Sequence, residues 1–351
     1  MIIIEGYKQI DYSQLGKVQY LINMIINAYR GGLKAVTFSP ITSKEKDNAY
    51  AAMATVIGLG GFFAPDQVMN KDIGANYFIR LEAEVTKNIY EEYSDESFTI
   101  DDTYKLGKSA KFRYFIGYLK NIVPNTNLPV IIHYSGHGKL ENGVPKIDFW
   151  ETTSKRKFYS PRDIASQIRK KSLTNVLVVY LDACYSAYNP SSSDETISFK
   201  ALFINYAGAL YFIGSRGKVH SAFAQDLATY FIADLIHKKK IGSSQLISKI
   251  FRSMKAKVYN EWMDHVEWFE KASDFYLHSA VEIAQHIIEY VEIATVVPYA
   301  LIVILAIIAG LLSGALYYYY WGSYMKNAAR RSYNNMQIYY LHDVPPGWSP
   351  S

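Results

Sequence analysis

Between Glu292 and Lys326 the chain carries no charged residue, and Val296 to Tyr317 is almost wholly apolar. A helix rises about 1.5 Å per residue, so roughly 20 such residues match the ~30 Å hydrocarbon core of a bilayer. Core helices of soluble domains rarely stay uncharged for so long. The sequence therefore predicts one transmembrane helix over 294–321, with the lipid bilayer as a partner. Tyr317, Tyr318, Tyr319, Tyr320 and Trp321 follow at its far end, where amphipathic rings suit the headgroup level. The opening Met1 to Gly6 has no basic leader followed by a long apolar region, so no secretory signal is expected. Lys326, Arg330 and Arg331 lie just past the apolar run, which by the positive-inside rule would place the C-terminus in the cytoplasm. That would carry the bulk of the chain across the membrane without a signal, so a cytoplasmic position for the bulk is favoured.

The rest of the 351 residues must form its own core, and the pattern before residue 241 alternates helix and strand. Leu15, Val18, Leu21, Ile22, Ile25, Ile26 and Tyr29 recur at helical spacing and predict a helix over 12–30, stopped by Gly31-Gly32. A strand at Leu33 to Phe38 follows, then a helix capped by Asp47-Asn48 and ended by Gly60-Gly61-Phe62. Phe112, Phe115, Ile116 and Leu119 mark another helix. Leu128 to Tyr134 and Val176 to Leu181 are apolar runs short enough to be buried parallel strands. Ser160-Pro161 is a helix start, Ala207 to Ile213 a further strand and Phe223 to Ile236 a further helix. Such alternation predicts an α/β fold, a mostly parallel sheet with helices on both faces, in a domain over 1–240. Asn189 to Glu195 reads as an exposed loop. Residues 241–293 are helical throughout, with Trp262, Val266, Phe269, Phe275 and Leu277 as anchors, and predict a stalk that could pair with another copy. Residues 322–351 are expected to be a tail.

Charge excludes some functions. A net charge of +5 is spread along the chain apart from Lys238 to Lys240, which is too little for a nucleic-acid stripe. A single cysteine excludes an internal disulfide and any thiolate metal cluster, and no cofactor or metal signature is present. It also singles out that one thiol.

In open parallel sheets functional groups collect at the carboxyl ends of strands. One apolar strand runs into Ser135-Gly136-His137-Gly138, and another delivers the only cysteine in Asp182-Ala183-Cys184-Tyr185-Ser186. If those strands are neighbours, His137 and Cys184 meet at one edge. A thiolate is the reactive form of cysteine, and an imidazole can take the thiol proton and return it to a leaving amine. Backbone N–H groups of Gly138 and Cys184 could then hold the oxyanion.

Tyr134 to Gly138 and Asp182 to Ser186 resemble the two signature boxes of the caspase-like peptidases, with metacaspases and their prokaryotic relatives as the nearest type. The similarity spans roughly Gly32 to His237, and histidine precedes cysteine by about 50 positions, as in caspases. The resemblance implies a caspase-like α/β fold and cysteine-dependent cleavage of a protein or peptide substrate. It assigns His137 as general base, Cys184 as nucleophile and Gly138 as oxyanion donor. It also places Asp182, Ser215 and Arg216 on the substrate side, with Asp182 selecting a basic residue before the scissile bond and Arg216 able to favour an acidic one instead. Ala187 stands where those relatives often have glycine. A transamidase of the same design and a catalytically idle signalling scaffold at the membrane are the competing expectations.

Overall fold

The structure, a computed structural model, describes residues 32–58, 72–94, 100–190, 197–237, 244–291 and 298–340. The helix expected over 12–30, the Gly60-Gly61-Phe62 stop, most of the Asn189 to Glu195 loop and Lys238 to Lys240 lie outside those residues.

Strand β1 (Leu33–Ser39) leads to helix α1 (Ser43–Gly58). The helix starts ahead of the expected Asp47 cap because Thr42 and Glu45 cap it reciprocally. Glu45 N donates to Thr42 Oγ1 at 3.2 Å and Thr42 N donates to Glu45 Oε2 at 2.8 Å. Helix α2 (Asp72–Tyr93), strand β2 (Ile100–Leu106) and helix α3 (Phe112–Gly117) follow, the last running on through a wide turn at Tyr118–Ile122. Then come β3 (Val130–Ser135), an antiparallel excursion of β4 (Gly138–Glu141), β5 (Val144–Trp150) and β6 (Arg156–Tyr159), and helix α4 (Pro161–Ala165). Here the expected start holds: Ser160 Oγ accepts from Asp163 N at 3.3 Å, and Ser160 N donates to Asp163 Oδ2 at 2.7 Å. Strand β7 (Val176–Asp182) is buried throughout. Strand β8 (Tyr211–Ser215) starts later than the expected Ala207, because Ala207 and Ala209 are taken up by a buried connection turning at Gly208 (φ +88°). Helices α5 (Ser221–His237), α6 (Ser244–Val291) and α7 (Pro298–Asn335) precede a last strand, β9 (Met336–Tyr340).

The main sheet has the order β2-β1-β3-β7-β8-β9. Its first five strands are parallel and β9 is antiparallel to β8. Alternating residues feed two cores, one per face. Ile131, Tyr180 and Ile213 face the side covered by α2, α5 and α6, while Ile132, Val179, Leu181 and Phe212 join Phe115, Leu119, Ile164 and Phe203 on the other. The expectation of a mostly parallel sheet covered on both faces therefore holds.

The chain after β8 departs from expectation. Helices α6 and α7 lie antiparallel as a two-helix arm: Ser273 Oγ donates to Ala315 O at 2.9 Å, Tyr259 and Tyr333 rings meet at 4.8 Å, and Lys326 pairs with Glu270 at 2.8 Å. At about 1.5 Å per residue, the 48 residues of α6 reach roughly 70 Å. Residues 322–340 are no tail. Helix α7 continues to Asn335, and β9 pairs Tyr211↔Tyr340 through Ser215↔Met336 as an edge of the sheet. The sheet consequently does not close at residue 240, and a single crossing that leaves everything after the helix on the opposite face does not fit this fold. Among the described residues one segment, Val303–Asn335, is long and apolar enough to cross a membrane, with mean hydropathy 1.8 and 6% of its most apolar stretch buried.

Candidate active site

The sheet register brings the two boxes together. Strands β3 and β7 are parallel neighbours with Ser135 opposite Asp182, so His137 and Cys184 each lie two residues past a paired strand end. Gly136 N donates to Asp182 O at 3.1 Å. A Cβ added at Gly138 would stand 2.0 Å from Cys184 O, so the histidine loop can lie against the cysteine backbone only because residue 138 is glycine.

Each side chain has its own supports. His137 N donates to Asp148 Oδ1 at 3.0 Å, and Asp148 N donates to His137 O at 3.2 Å. Buried Asp148 also accepts from Tyr134 OH at 2.7 Å and from Arg156 Nη1 at 3.1 Å. His137 Nε2 lies 2.7 Å from Asn76 Oδ1 on α2. On the cysteine side, Tyr185 takes a left-handed conformation (φ +62°), its N donating to Gly217 O at 2.9 Å. A tyrosine there is held against its own backbone preference, a kind of strain that clusters at functional turns. Ser186 Oγ donates to Leu181 O at 2.8 Å and accepts from Ser215 N at 2.9 Å. Ala187 N reaches Ser215 O at 2.7 Å, so Ala187 is accommodated by the turn. The Cys184 thiol donates to Val219 O at 3.7 Å rather than to His137, and burial pushes its pKa up, so at neutral pH it is a resting thiol.

The expected substrate residues are differently disposed. Asp182 is 5% exposed and turned towards α2, where Glu82 is fully buried. Burial, and then the neighbouring Glu82 carboxyl, hold Asp182 well above the usual carboxylate range, while burial pushes Glu82 up to about 7. His133 lies 2.6 Å from Glu82 and burial lowers it to about 4, so this contact is a hydrogen bond of a neutral imidazole and not an ion pair. Ser215 is buried and builds the turn, its Oγ donating to Gly217 O at 2.8 Å. Arg216 is exposed, and its Nε donates to Tyr339 OH on β9 at 2.7 Å. Neither Asp182 nor Arg216 therefore stands free at an open cleft. Among the described residues no group of three His, Cys, Asp or Glu side chains is arranged to hold a metal ion.

Sequence reasoning missed Asn76, Glu82 and Asp148. The first two belong to α2, whose inward stripe of Ile79, Ala83, Thr86 and Tyr90 is legible at helical spacing and could have located them. No sequence signal marks Asp148.

No family profile matches the chain, and no curated protein matches it. Among solved structures it is similar to that of the Drosophila initiator caspase Dronc, at 11% identity and a TM-score of 0.33, over 66% of this chain and 74% of that one. What the site can do follows from its own residues.

Proposed function

We propose that this chain is a membrane-attached cysteine endopeptidase in which Cys184 attacks a peptide carbonyl and His137 carries the proton. The observation that supports this most is the adjoining of the only cysteine and a glycine-flanked histidine at neighbouring parallel strand ends. In the reaction the Cys184 S–H proton passes to His137 as the S–C bond forms. The carbonyl oxygen then takes up negative charge beside the N–H groups of Gly138 and Cys184, and the imidazolium protonates the departing nitrogen. Water releases the acyl group by the reverse traffic. The thiol must first leave Val219 O, so the structure corresponds to a resting state.

Cleavage after Arg or Lys is the proposed specificity. That choice rests on the place of Asp182 two residues before Cys184 in the second box; Asp182 is 5% exposed beside buried Glu82, so the comparison of Arg and Asp peptides decides whether a substrate cation reaches it. The bilayer is the proposed partner of α7. The test is a pair of fluorogenic peptides ending in Arg or Asp before the reporter, with an iodoacetamide probe on the thiol. Cys184→Ala and His137→Ala should each remove turnover by about 10⁴-fold or more while leaving the fold intact. Unchanged turnover in Cys184→Ala sinks the peptidase assignment, and faster cleavage after Asp sinks the basic specificity.

A further inference from the structure

The His137 ring has a partner outside both signature boxes. Nε2 lies 2.7 Å from Asn76 Oδ1. An amide oxygen only accepts, so this contact puts the ring proton on Nε2 and leaves Nδ1 as the basic nitrogen.

Helix α2 is itself tied to the strands that end at the site, so Asn76 is well placed to dictate that choice. Ser135 Oγ at the end of β3 donates to Ile79 O at 3.0 Å, one helical turn beyond Asn76. Arg80 Nη1 donates to Ile41 O, just past β1, at 3.2 Å, and Glu82 meets His133 of β3 at 2.6 Å. Three contacts therefore fix the α2 backbone against β1 and β3, and the residue that follows β3 by two positions is His137.

We infer that Asn76 is a positioning residue for His137, holding its tautomer and ring plane so that Nδ1 can take the thiol proton. The inference rests on the peptidase reading. When Nδ1 accepts that proton the imidazolium keeps its Nε2–H bond to Oδ1, and the same proton later goes from Nδ1 to the leaving nitrogen. A neutral amide orients the ring in both protonation states. A carboxylate at the same place would also stabilise the imidazolium.

The experiment uses the full chain in detergent and two readouts. The first needs no substrate: selective ¹⁵N labelling of histidine, with His137 assigned by loss of its signals in His137→Gln. The Nε2–H tautomer should dominate in the wild type, and Asn76→Ala should give a mixture. The second is turnover of the Arg peptide. Asn76→Ala should lower kcat roughly ten- to hundredfold with KM changed less than about threefold, as misorientation of a reacting group does. Asn76→Asp should restore most of that rate and move the low-pH limb of the profile upward, because a carboxylate raises the pKa of the base. A mixed tautomer in the wild type, or kcat within twofold in Asn76→Ala, overturns the inference. So does an equal loss in the Ala and Asp variants with unmoved pH limbs, which would mark damage to α2 instead. If the wild type cleaves neither peptide, the peptidase reading falls while the tautomer measurement still decides the role of Asn76.

Discussion

Strand β7 and the first half of helix α7 are both built largely of aliphatic residues, yet every residue of the strand is buried while Val303, Leu305 and Ile307 are 56%, 54% and 48% exposed. In β7 successive side chains enter the two cores on either face of the sheet, so the fold itself consumes all of its apolar surface. Helix α7 packs only one stripe on α6, where Gly314 lies against Tyr276 and Gly322 against Phe269, and leaves the rest outward. Burial stabilises by about 25 cal/mol per Å². In the sheet that stabilisation is realised within the fold, whereas in the arm it is available to a bilayer.

The two regions are nonetheless joined beside Cys184. Asn335, the last residue of α7, accepts from Arg216 N at 3.0 Å and donates through Nδ2 to Lys218 O at 2.7 Å. Ser332 Oγ accepts from His220 N at 2.8 Å. The loop between these anchors supplies Gly217 O to Tyr185 N and Val219 O to the Cys184 thiol. The helix with the exposed apolar face thus ends on the loop that holds Cys184.

The sharpest way to break the comparison is to truncate the same residue type in both regions. Leu181→Ala, fully buried in β7, should lower stability by about 2–5 kcal/mol in urea unfolding. Leu312→Ala, 40% exposed on α7, should change it by less than about 0.5 kcal/mol. Comparable losses would mean that side chains of the arm stabilise the fold as much as those of the sheet. Next in size is a charge on the arm. Ile307→Glu, at a position 48% exposed, should leave the melting temperature in detergent unaltered. Its cost in hydrocarbon is about 3 kcal/mol, so association with phosphatidylcholine vesicles in a flotation assay should fall more than tenfold. Undiminished flotation would remove the bilayer as the occupant of this face.

The smallest effect comes from the buried polar side of the sheet. Glu82 is raised from 4.5 to about 7, so its contribution to stability is fully present below about 4.5 and is lost as pH rises through about 7. Asp182, raised well above 3.8, acts in the same sense. His133, lowered from 6.5 to about 4, acts oppositely, its contribution present above 6.5 and lost as pH falls through about 4. The two carboxyls outweigh the one imidazole, so stability should decline from pH 5 to pH 7 by about 1 kcal/mol per unit, and Glu82→Gln should flatten the decline. A curve that rises over this range would show the pair to be ionised in the folded protein.

What the sequence determined alone were features carried by local pattern. The apolar runs of β3 and β7, the Ser160 cap, the uncharged stretch of α7 and the strand-end placement of His137 and Cys184 all follow from periodicity, capping chemistry and length, which act over a few neighbouring residues. Tertiary structure decided which groups those elements meet. β9 is short, and only its pairing with β8 makes it a strand of this sheet. Asn76 reaches His137, Glu82 reaches Asp182 and Asn335 reaches the 216–218 loop across long separations in sequence, with nothing local to announce them. By sequence Asp182 reads as the carboxylate that selects a basic residue, and its neighbour Glu82 is invisible there, because burial is a property of what packs on a residue. Helix α2, which covers it, is specified elsewhere in the chain.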